Sequence, residues 1–275
     1  MSTVAAALAA ARAKLPANEA RLLLGHVMDR PAAWLIVHDD QVLDEDQLLA
    51  FASLVARRAG GEPVAYLVGF REFFGREFAV SSGVLIPRPE TELLVDIALR
   101  QKVGVGTAAT ARILDLGTGS GCLAITLALE IPQAQVTALD ASAAALDVAR
   151  DNAQRHGAQL RLLQSDWFSA LAGERFDLIV ANPPYIANTD PHLAAGDLRY
   201  EPRTALASGS DGLDAIRRIV ADAAKYLAPG GQLWLEHGYD QAVAVRELLA
   251  AAGFVGIEQI PDLAAILRVT GGRMG

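Results

Sequence analysis

Between residues 112 and 236, strand-length apolar runs alternate with helical stretches, and no other feature of the chain narrows its fold so far. The runs Arg112–Leu116, Gln135–Leu139, Leu160–Gln164, Phe176–Ala181 and Gln232–Glu236 are too short for helices and are bounded by turn residues, as buried strands are. Leu123–Glu130, Ala143–His156 and Gly212–Leu227 carry helical spacing between them. This alternation predicts an α/β fold: a doubly wound, mainly parallel sheet with helices on both faces. The stretch after Glu236 adds one more helix and a closing pair of strands.

Upstream the pattern changes. Residues 1 to about 60 are dominated by Ala, Leu and Arg, and Glu19–Gly25 and Asp46–Arg57 have helical apolar spacing. The acids Asp39, Asp40, Asp44, Glu45 and Asp46 precede and cap the second of these helices. Gly60-Gly61-Glu62-Pro63 breaks the helical pattern. Glu72–Val80 and Val84–Ile86 then read as two short strands around a Ser81-Ser82-Gly83 turn. Pro87-Arg88-Pro89-Glu90-Thr91-Glu92 supplies a helix start for Leu93–Leu99. The expected domains are a helical bundle over 1–70, a hairpin linker over 71–90 and the α/β domain over 91–275.

Charge and cysteine content exclude several classes. The formal net charge is −8, with 8 basic against 10 acidic residues in 1–80 and 16 against 22 afterwards. That balance argues against a tight duplex binder, which needs a basic stripe to displace counterions, while leaving room for a small basic patch. Cys122 is the sole cysteine, so no internal disulfide forms and a cytoplasmic location is expected. Arg12 and Lys14 follow rather than precede the apolar N-terminal stretch, the wrong order for a signal peptide. The longest uncharged apolar run, Leu116–Leu129, is interrupted by three glycines and is too short to span a membrane.

In ILDLGTGSGCLAITLALE a strand runs through a glycine-rich turn into a helix. Gly117, Gly119 and Gly121 let the backbone turn sharply and approach a ligand closely. The Gly-x-Gly-x-Gly spacing differs from that of dinucleotide folds, no lysine follows as in a phosphate-binding loop, and Ser120 lacks the flanking glycines of a nucleophile elbow. Asp140 ends the next strand 23 residues after Gly117. An acid at about that distance accepts the ribose hydroxyls in nucleotide-binding sheets, and it can also cap the following helix. Asp166 and Trp167 follow the third strand, placed to meet the amino edge and the face of an adenine; Trp167 can equally cover the sheet edge. An adenosine-bearing cofactor without phosphates fits these features, namely S-adenosylmethionine.

ANPPYIA, residues 181–187, follows the fourth strand. Two prolines there remove backbone donors and lock the direction of the chain. Strand ends at the carboxyl edge of an open α/β sheet are where ligands bind. Asn182 offers an acceptor and a donor, Pro183 leaves its carbonyl free, and Tyr185 offers a flat face. Such a site suits a planar –NH2 group, whose lone pair is delocalised and therefore poorly nucleophilic. Hydrogen bonds that favour a pyramidal nitrogen stabilise the transition state more than the ground state. The predicted chemistry is methyl transfer to nitrogen, with Asn182, Pro183, Pro184 and Tyr185 as its residues.

Together with GEPVAYLVGFREFFGREF, VLIPRPETELLV, DLGTGSG, FDLIVANPPYI, GDLRYEPRTAL and LAPGGQLWLEHGYDQ, these motifs resemble one family from about Gly61 to Arg273. It is the protein-(glutamine-N5) methyltransferases that modify bacterial peptide chain release factors, the HemK/PrmC type. The resemblance implies a class I S-adenosylmethionine-dependent methyltransferase fold, Rossmann-like with a seven-stranded, mostly parallel sheet. A small N-terminal helical domain for recognising the substrate protein and a linking β-hairpin precede it. It implies that Gly117, Thr118, Gly119, Ser120, Gly121, Asp140, Trp167 and Asn182 contact the cofactor, and that Asn182 to Tyr185 hold the substrate glutamine. The implied target is the glutamine of the Gly-Gly-Gln loop in class I release factors, with no nucleic-acid or membrane partner and a monomeric chain. One departure lies in Asp262-Leu-Ala-Ala265, where the family usually has Gly at the last position.

Two other functions share some of these features. An N6-adenine nucleic-acid methyltransferase uses the same Asn-Pro-Pro-Tyr for an aromatic amine but must grip phosphates, which the acidic charge disfavours. A non-catalytic cofactor-binding scaffold would have no use for the intact motif. Glu201 and Arg203 read as a surface ion pair or as residues that steer the partner. Cys122 reads as a small core residue. His26, His38, His156, His192 and His237 show no ligand spacing, so no metal is expected. His237 reads as lining the pocket or capping a turn.

Overall fold

The computed structural model describes residues 2–101 and 110–275. The chain divides into two compact units, Met1–Phe70 and Arg71–Gly275. Among the described residues no helix is long and apolar enough to cross a membrane.

The first unit is helical. It contains β1 (Ser2–Thr3), α1 (Val4–Ala11), α2 (Ala17–Met28), α3 (Trp34–Val37), β2 (Val42–Leu43), α4 (Glu45–Ala59) and α5 (Val64–Val68). Leu8, Leu23, Leu24, Leu35, Phe51, Val55 and Leu67 form its core. Asp44 begins α4 through a reciprocal capping box: its side chain takes the Gln47 N–H while the Gln47 side chain takes the Asp44 N–H. Near the other end of α4, Arg58 grips Glu19 of α2 with two hydrogen bonds of 2.7 and 2.9 Å.

A hairpin of β3 (Phe70–Phe73) and β4 (Arg76–Ala79) follows. Its turn is Phe74-Gly75, not Ser81-Ser82-Gly83 as the sequence suggested, and 84–86 forms no strand. Both turn residues have positive φ, 50° and 72°, the twist that a two-residue hairpin requires. Gly75 supplies one such position without strain; the Phe74 N–H is held by Glu92 at 2.9 Å. Val84 and Ile86, outside any strand, are buried.

The second unit carries α6 (Glu92–Arg100), β5 (Arg112–Leu116), α7 (Cys122–Glu130), β6 (Gln135–Asp140), α8 (Ala143–His156), β7 (Arg161–Gln164), β8 (Phe176–Ala181), α9 (Asp214–Ala223), β9 (Leu227–Glu236), α10 (Ala242–Ala251), β10 (Phe254–Pro261) and β11 (Leu267–Met274). Seven strands form one sheet in the order β10-β11-β9-β8-β5-β6-β7. All neighbours from β9 to β7 pair in parallel, and β11 runs antiparallel to both its neighbours.

Alternation along each strand divides the core into two layers. Ile113 joins α6 and α7 residues such as Leu94 and Ile125 on one face. Leu114 and Leu116 join α9 and α10 residues such as Ile216 and Val245 on the other. From β5 the chain first builds β6 and β7 to one side, then crosses to β8 and β9 on the other. The β5–β8 pair is therefore the point where the winding reverses, and a crevice opens outside its carboxyl ends. Leu116 pairs with Ala181, so the glycine turn and Asn-Pro-Pro-Tyr leave the sheet side by side.

Candidate active site

The glycine turn is held from below and from the side. Gly117, Gly119 and Gly121 have φ of 76°, 56° and 81°, the left-handed region that glycine adopts without a Cβ clash. Asp140 Oδ2 accepts the Gly119 N–H at 2.9 Å and Oδ1 accepts the Ser142 N–H at 2.9 Å. Each oxygen keeps a further lone pair for a hydroxyl. Beneath the turn, Thr118 donates to Asp115 Oδ2 at 2.6 Å. Asp115 is 1% exposed, and burial pushes its carboxyl up to about 7.

A cavity of about 500 Å³ lies over this edge. Of the residues expected from sequence, Gly117, Gly119, Asp140, Asp166, Trp167, Asn182 and Pro184 line it. Thr118 and Ser120 border a cavity of about 40 Å³ beside Asp115 and Asn182. Pro183 and Tyr185 border one of about 60 Å³ with Arg88 and Asn182. Gly121 borders none of these three: a Cβ there would stand 2.8 Å from Ile125 Cδ1 and 3.1 Å from Ala149 Cβ, so this glycine lets helices pack. Trp167 sits at φ 50°, an uncommon conformation for an aromatic residue, with its carbonyl fixed by Ser165 Oγ at 2.6 Å. Asp166 reaches the same cavity, but both its carboxylate oxygens are engaged by Arg218, at 2.9 and 2.7 Å.

Asn182 borders all three cavities. Its Nδ2 donates to Thr91 Oγ1 at 3.0 Å, and Thr91 donates to Glu236 Oε2 at 2.6 Å. Tyr185 donates from its hydroxyl to Glu236 Oε1 at 3.1 Å. Glu236 is 1% exposed at the end of β9, and burial pushes its carboxyl up to about 7. Burial, with the Glu236 charge beside it, also raises the Tyr185 phenol. The Tyr185 carbonyl accepts from Gln241 at 2.9 Å, so both ends of the residue are fixed.

Known proteins agree with this architecture. Residues 91–211 match the methyltransferase small domain, and residues 1–69 match the PrmC N-terminal domain. The release factor glutamine methyltransferase of Burkholderia pseudomallei is 55% identical over 267 residues, covering 94% of this chain and 93% of that one. The chain belongs to the release factor glutamine methyltransferase family. The Xylella fastidiosa (strain 9a5c) member is 52% identical over 274 residues, 99% of this chain and 98% of its own. A methyltransferase from Pyrococcus furiosus shares the fold, with a TM-score of 0.56 at 18% identity, covering 82% of this chain and 99% of that one.

Several residues around this methyltransferase site carried no clear signal in the sequence. Asn152 of α8 bridges Ala79 of the hairpin and the Ser120 carbonyl, accepting at 2.8 Å and donating at 3.0 and 2.8 Å. Glu201 does not pair with Arg203 on the surface. Its side chain is buried, accepts the Ile86 N–H at 3.1 Å and forms an ion pair with Arg88. Arg203 instead donates to the Asn188 carbonyl at 2.8 Å. Glu201 thereby ties the segment after Gly196 to the strip around Leu85, and both border the large cavity. His237 lies buried outside the three cavities, within hydrogen-bond distance of Thr270 Oγ1 (2.7 Å) and the Gly238 carbonyl (2.9 Å).

Proposed function

We propose that this protein transfers a methyl group from S-adenosylmethionine to the side-chain amide nitrogen of the glutamine in the Gly-Gly-Gln loop of class I peptide chain release factors. The observation that carries the reading is the β5–β8 pairing, which brings the glycine turn and Asn182 to one cavity edge. The residues fit the cofactor. The 500 Å³ volume is within the range of small-ligand sites. A Cβ at Gly119 would meet no protein atom within 4 Å, so the turn leaves open space for a ligand. When bound, S-adenosylmethionine supplies an electrophilic methyl carbon on a sulfonium.

The protein's own groups do the rest. Asp140, whose other bonds hold Gly119 and Ser142, would take the ribose hydroxyls, and Trp167 would offer its face to the adenine. Asn182 Oδ1 and the Pro183 carbonyl accept the two N–H groups of the glutamine amide, drawing its nitrogen toward a pyramidal form. Pro183 and Pro184 fix the course of the backbone, and with it the Pro183 carbonyl, before the substrate arrives, so that acceptor needs no reorganisation as charge develops. The new C–N bond would form as the methyl–sulfur bond breaks, a neutral thioether leaves, and the cationic nitrogen gives one proton to water; no strong base is required. The Met1–Phe70 unit recognises the substrate protein, and the enzyme works as a cytoplasmic monomer on translation termination factors.

The test offers a class I release factor, a duplex DNA and methyl-labelled cofactor to the purified protein. Label on the Gly-Gly-Gln peptide, located at the glutamine by mass spectrometry, is expected. An unmodified glutamine, or label on DNA instead, refutes the reading.

A further inference from the structure

We propose that Thr91 and Glu236 form a relay that decides which end of the Asn182 carboxamide faces the substrate, making both positioning residues for methyl transfer; this rests on the glutamine reading above. The argument is a count of hydrogens. A threonine hydroxyl has one proton to donate, and an ionised carboxylate can only accept. Thr91 Oγ1 lies 2.6 Å from Glu236 Oε2, which commits that proton to the carboxylate. Toward Asn182, at 3.0 Å, Thr91 can then only accept. That selects the Asn182 –NH2 group and turns its Oδ1 away from Thr91, available to a substrate N–H.

A carboxamide that can flip presents a donor as readily as an acceptor, and a donor repels the N–H it is meant to hold. Preventing that flip needs a group that only accepts, and Glu236, when ionised, supplies one from the end of a strand in the sheet. The neighbouring residue Leu235 pairs with Ala181, the residue before Asn182, so relay and motif share one rigid frame. The second carboxylate oxygen takes the Tyr185 hydroxyl at 3.1 Å, so one buried group sets both the amide and the ring.

The relay has a polarity that a proton can reverse. A proton on Glu236 Oε2 would be donated to Thr91, whose own hydrogen would turn to Asn182 and demand its Oδ1. Burial raises the Glu236 carboxyl to about 7; Glu90 raises it as well, while the Thr91 and Tyr185 hydroxyls and Arg268 lower it. Cys122, whose thiol burial pushes up to about 12, stays uncharged, and the imidazole of adjacent His237 is turned to Thr270 and Gly238. Turnover therefore rises with pH through about 7, as the carboxylate forms.

The test measures glutamine methylation and cofactor affinity for wild type, Thr91→Val, Thr91→Ser and Glu236→Gln, over about pH 5.5 to 9. Thr91→Val keeps the volume but removes the relay: kcat should fall about 100-fold, cofactor Kd should stay within about twofold, and the acid limb should vanish. Thr91→Ser should restore kcat to within about threefold, with the limb present. A folded Thr91→Val enzyme with kcat within about threefold of wild type and the same limb overturns the proposal. If Thr91→Val does not fold, Glu236→Gln carries the test: loss of the limb supports the relay and its persistence overturns it. A wild-type enzyme that leaves the glutamine unmodified refutes the glutamine reading itself, before any variant is compared.

Discussion

Gly119 and Gly121 stand two positions apart in one turn, yet alanine should damage them in opposite ways. Both are left-handed, with φ of 56° and 81°, and an L-residue in that region costs about 1–2 kcal/mol. At Gly119 that is the whole cost, because an added Cβ meets nothing within 4 Å. At Gly121 the Cβ would stand 2.8 Å from Ile125 Cδ1 and 3.2 Å from Ala149 Cα. The second contact is backbone in the middle of α8 and cannot swing aside, so overpacking adds about 1–3 kcal/mol. Gly121→Ala should therefore destabilise by about 2–5 kcal/mol and Gly119→Ala by about 1–2 kcal/mol, read as urea midpoints at constant m-value. Cofactor affinity should rank the other way. Gly119→Ala puts a methyl into the open space beside the large cavity and should weaken binding about tenfold, or 1.4 kcal/mol, by calorimetry. Gly121→Ala, measured where it is folded, should bind within about twofold of wild type. Equal destabilisation by the two variants, or wild-type affinity in Gly119→Ala, would refute the division of the turn into one packing glycine and one ligand glycine.

Asn182→Ala should lower kcat about 10²–10³-fold while cofactor Kd changes far less, because the lost acceptor acts on the reacting nitrogen; single-turnover kinetics with release factor checks this. Ala265 holds a turn at φ 62°, where the family usually has glycine, and Asp262 Oδ1 fastens that turn through the Ala264 and Ile266 N–H groups. Ala265→Gly should stabilise by about 1 kcal/mol in urea unfolding, and any loss of stability contradicts the strain argument. Asp115, raised by burial to about 7, holds its proton in the folded state over a range where the unfolded chain has released it. Its contribution is complete below the unfolded value near 4 and is lost as pH rises through about 7. Asp115→Asn should flatten the fall of stability across that window in urea unfolding; parallel curves for the two proteins would count against it.

What could be read from the sequence followed the range of the interactions involved. Ala143–His156 is bounded as its spacing suggested because both stops are local: Ser142 caps the first turn and Gly157 ends the last at φ 65°. The helix expected over Gly212–Leu227 is shorter, Asp214–Ala223, and the strand expected from Gln232 begins at Leu227. Leu227 pairs with Phe176 before a register shift, and a bulged start containing Pro229, Gly230 and Gly231 does not read as a strand. Phe74 hid the hairpin turn, since an aromatic residue at positive φ is a poor turn signal and only Gly75 marked it. The pairings between side chains that brace the site were not legible, although Asn182, Thr91, Glu201 and Glu236 all lie in the motifs. Asn152 reaches its hairpin partner across 73 positions, Asn182 reaches Thr91 across 91, Glu201 reaches Arg88 across 113, and Thr91 reaches Glu236 across 145. Periodicity within a window has no access to such pairs. The motifs were visible because the loops that line the candidate site are themselves contiguous.

Three acids around the site share a chemical oddity. Asp115, Glu201 and Glu236 are 1%, 6% and 1% exposed, and burying a carboxylate costs several kcal/mol unless its oxygens are well bonded. Each is bonded by a group that belongs to the candidate site or borders it: Thr118 under the glycine turn, Arg88 and the Ile86 N–H beside Leu85, Thr91 and Tyr185 around Asn182. Apolar residues of similar volume would fill these positions at no desolvation cost, so packing does not explain them. Their hydrogen bonds to side chains and backbone at the candidate site do. A hydroxyl or amide left to itself samples several orientations, and every unproductive one must be undone before the methyl can move. On the proposed reading, these three buried carboxyl groups would impose the orientation in advance and so lower the reorganisation demanded at the moment of transfer. Among the described residues the buried carboxyl groups are these three, all around one crevice, and on the proposed reading the rules of core composition are broken there because catalysis, rather than folding, requires it.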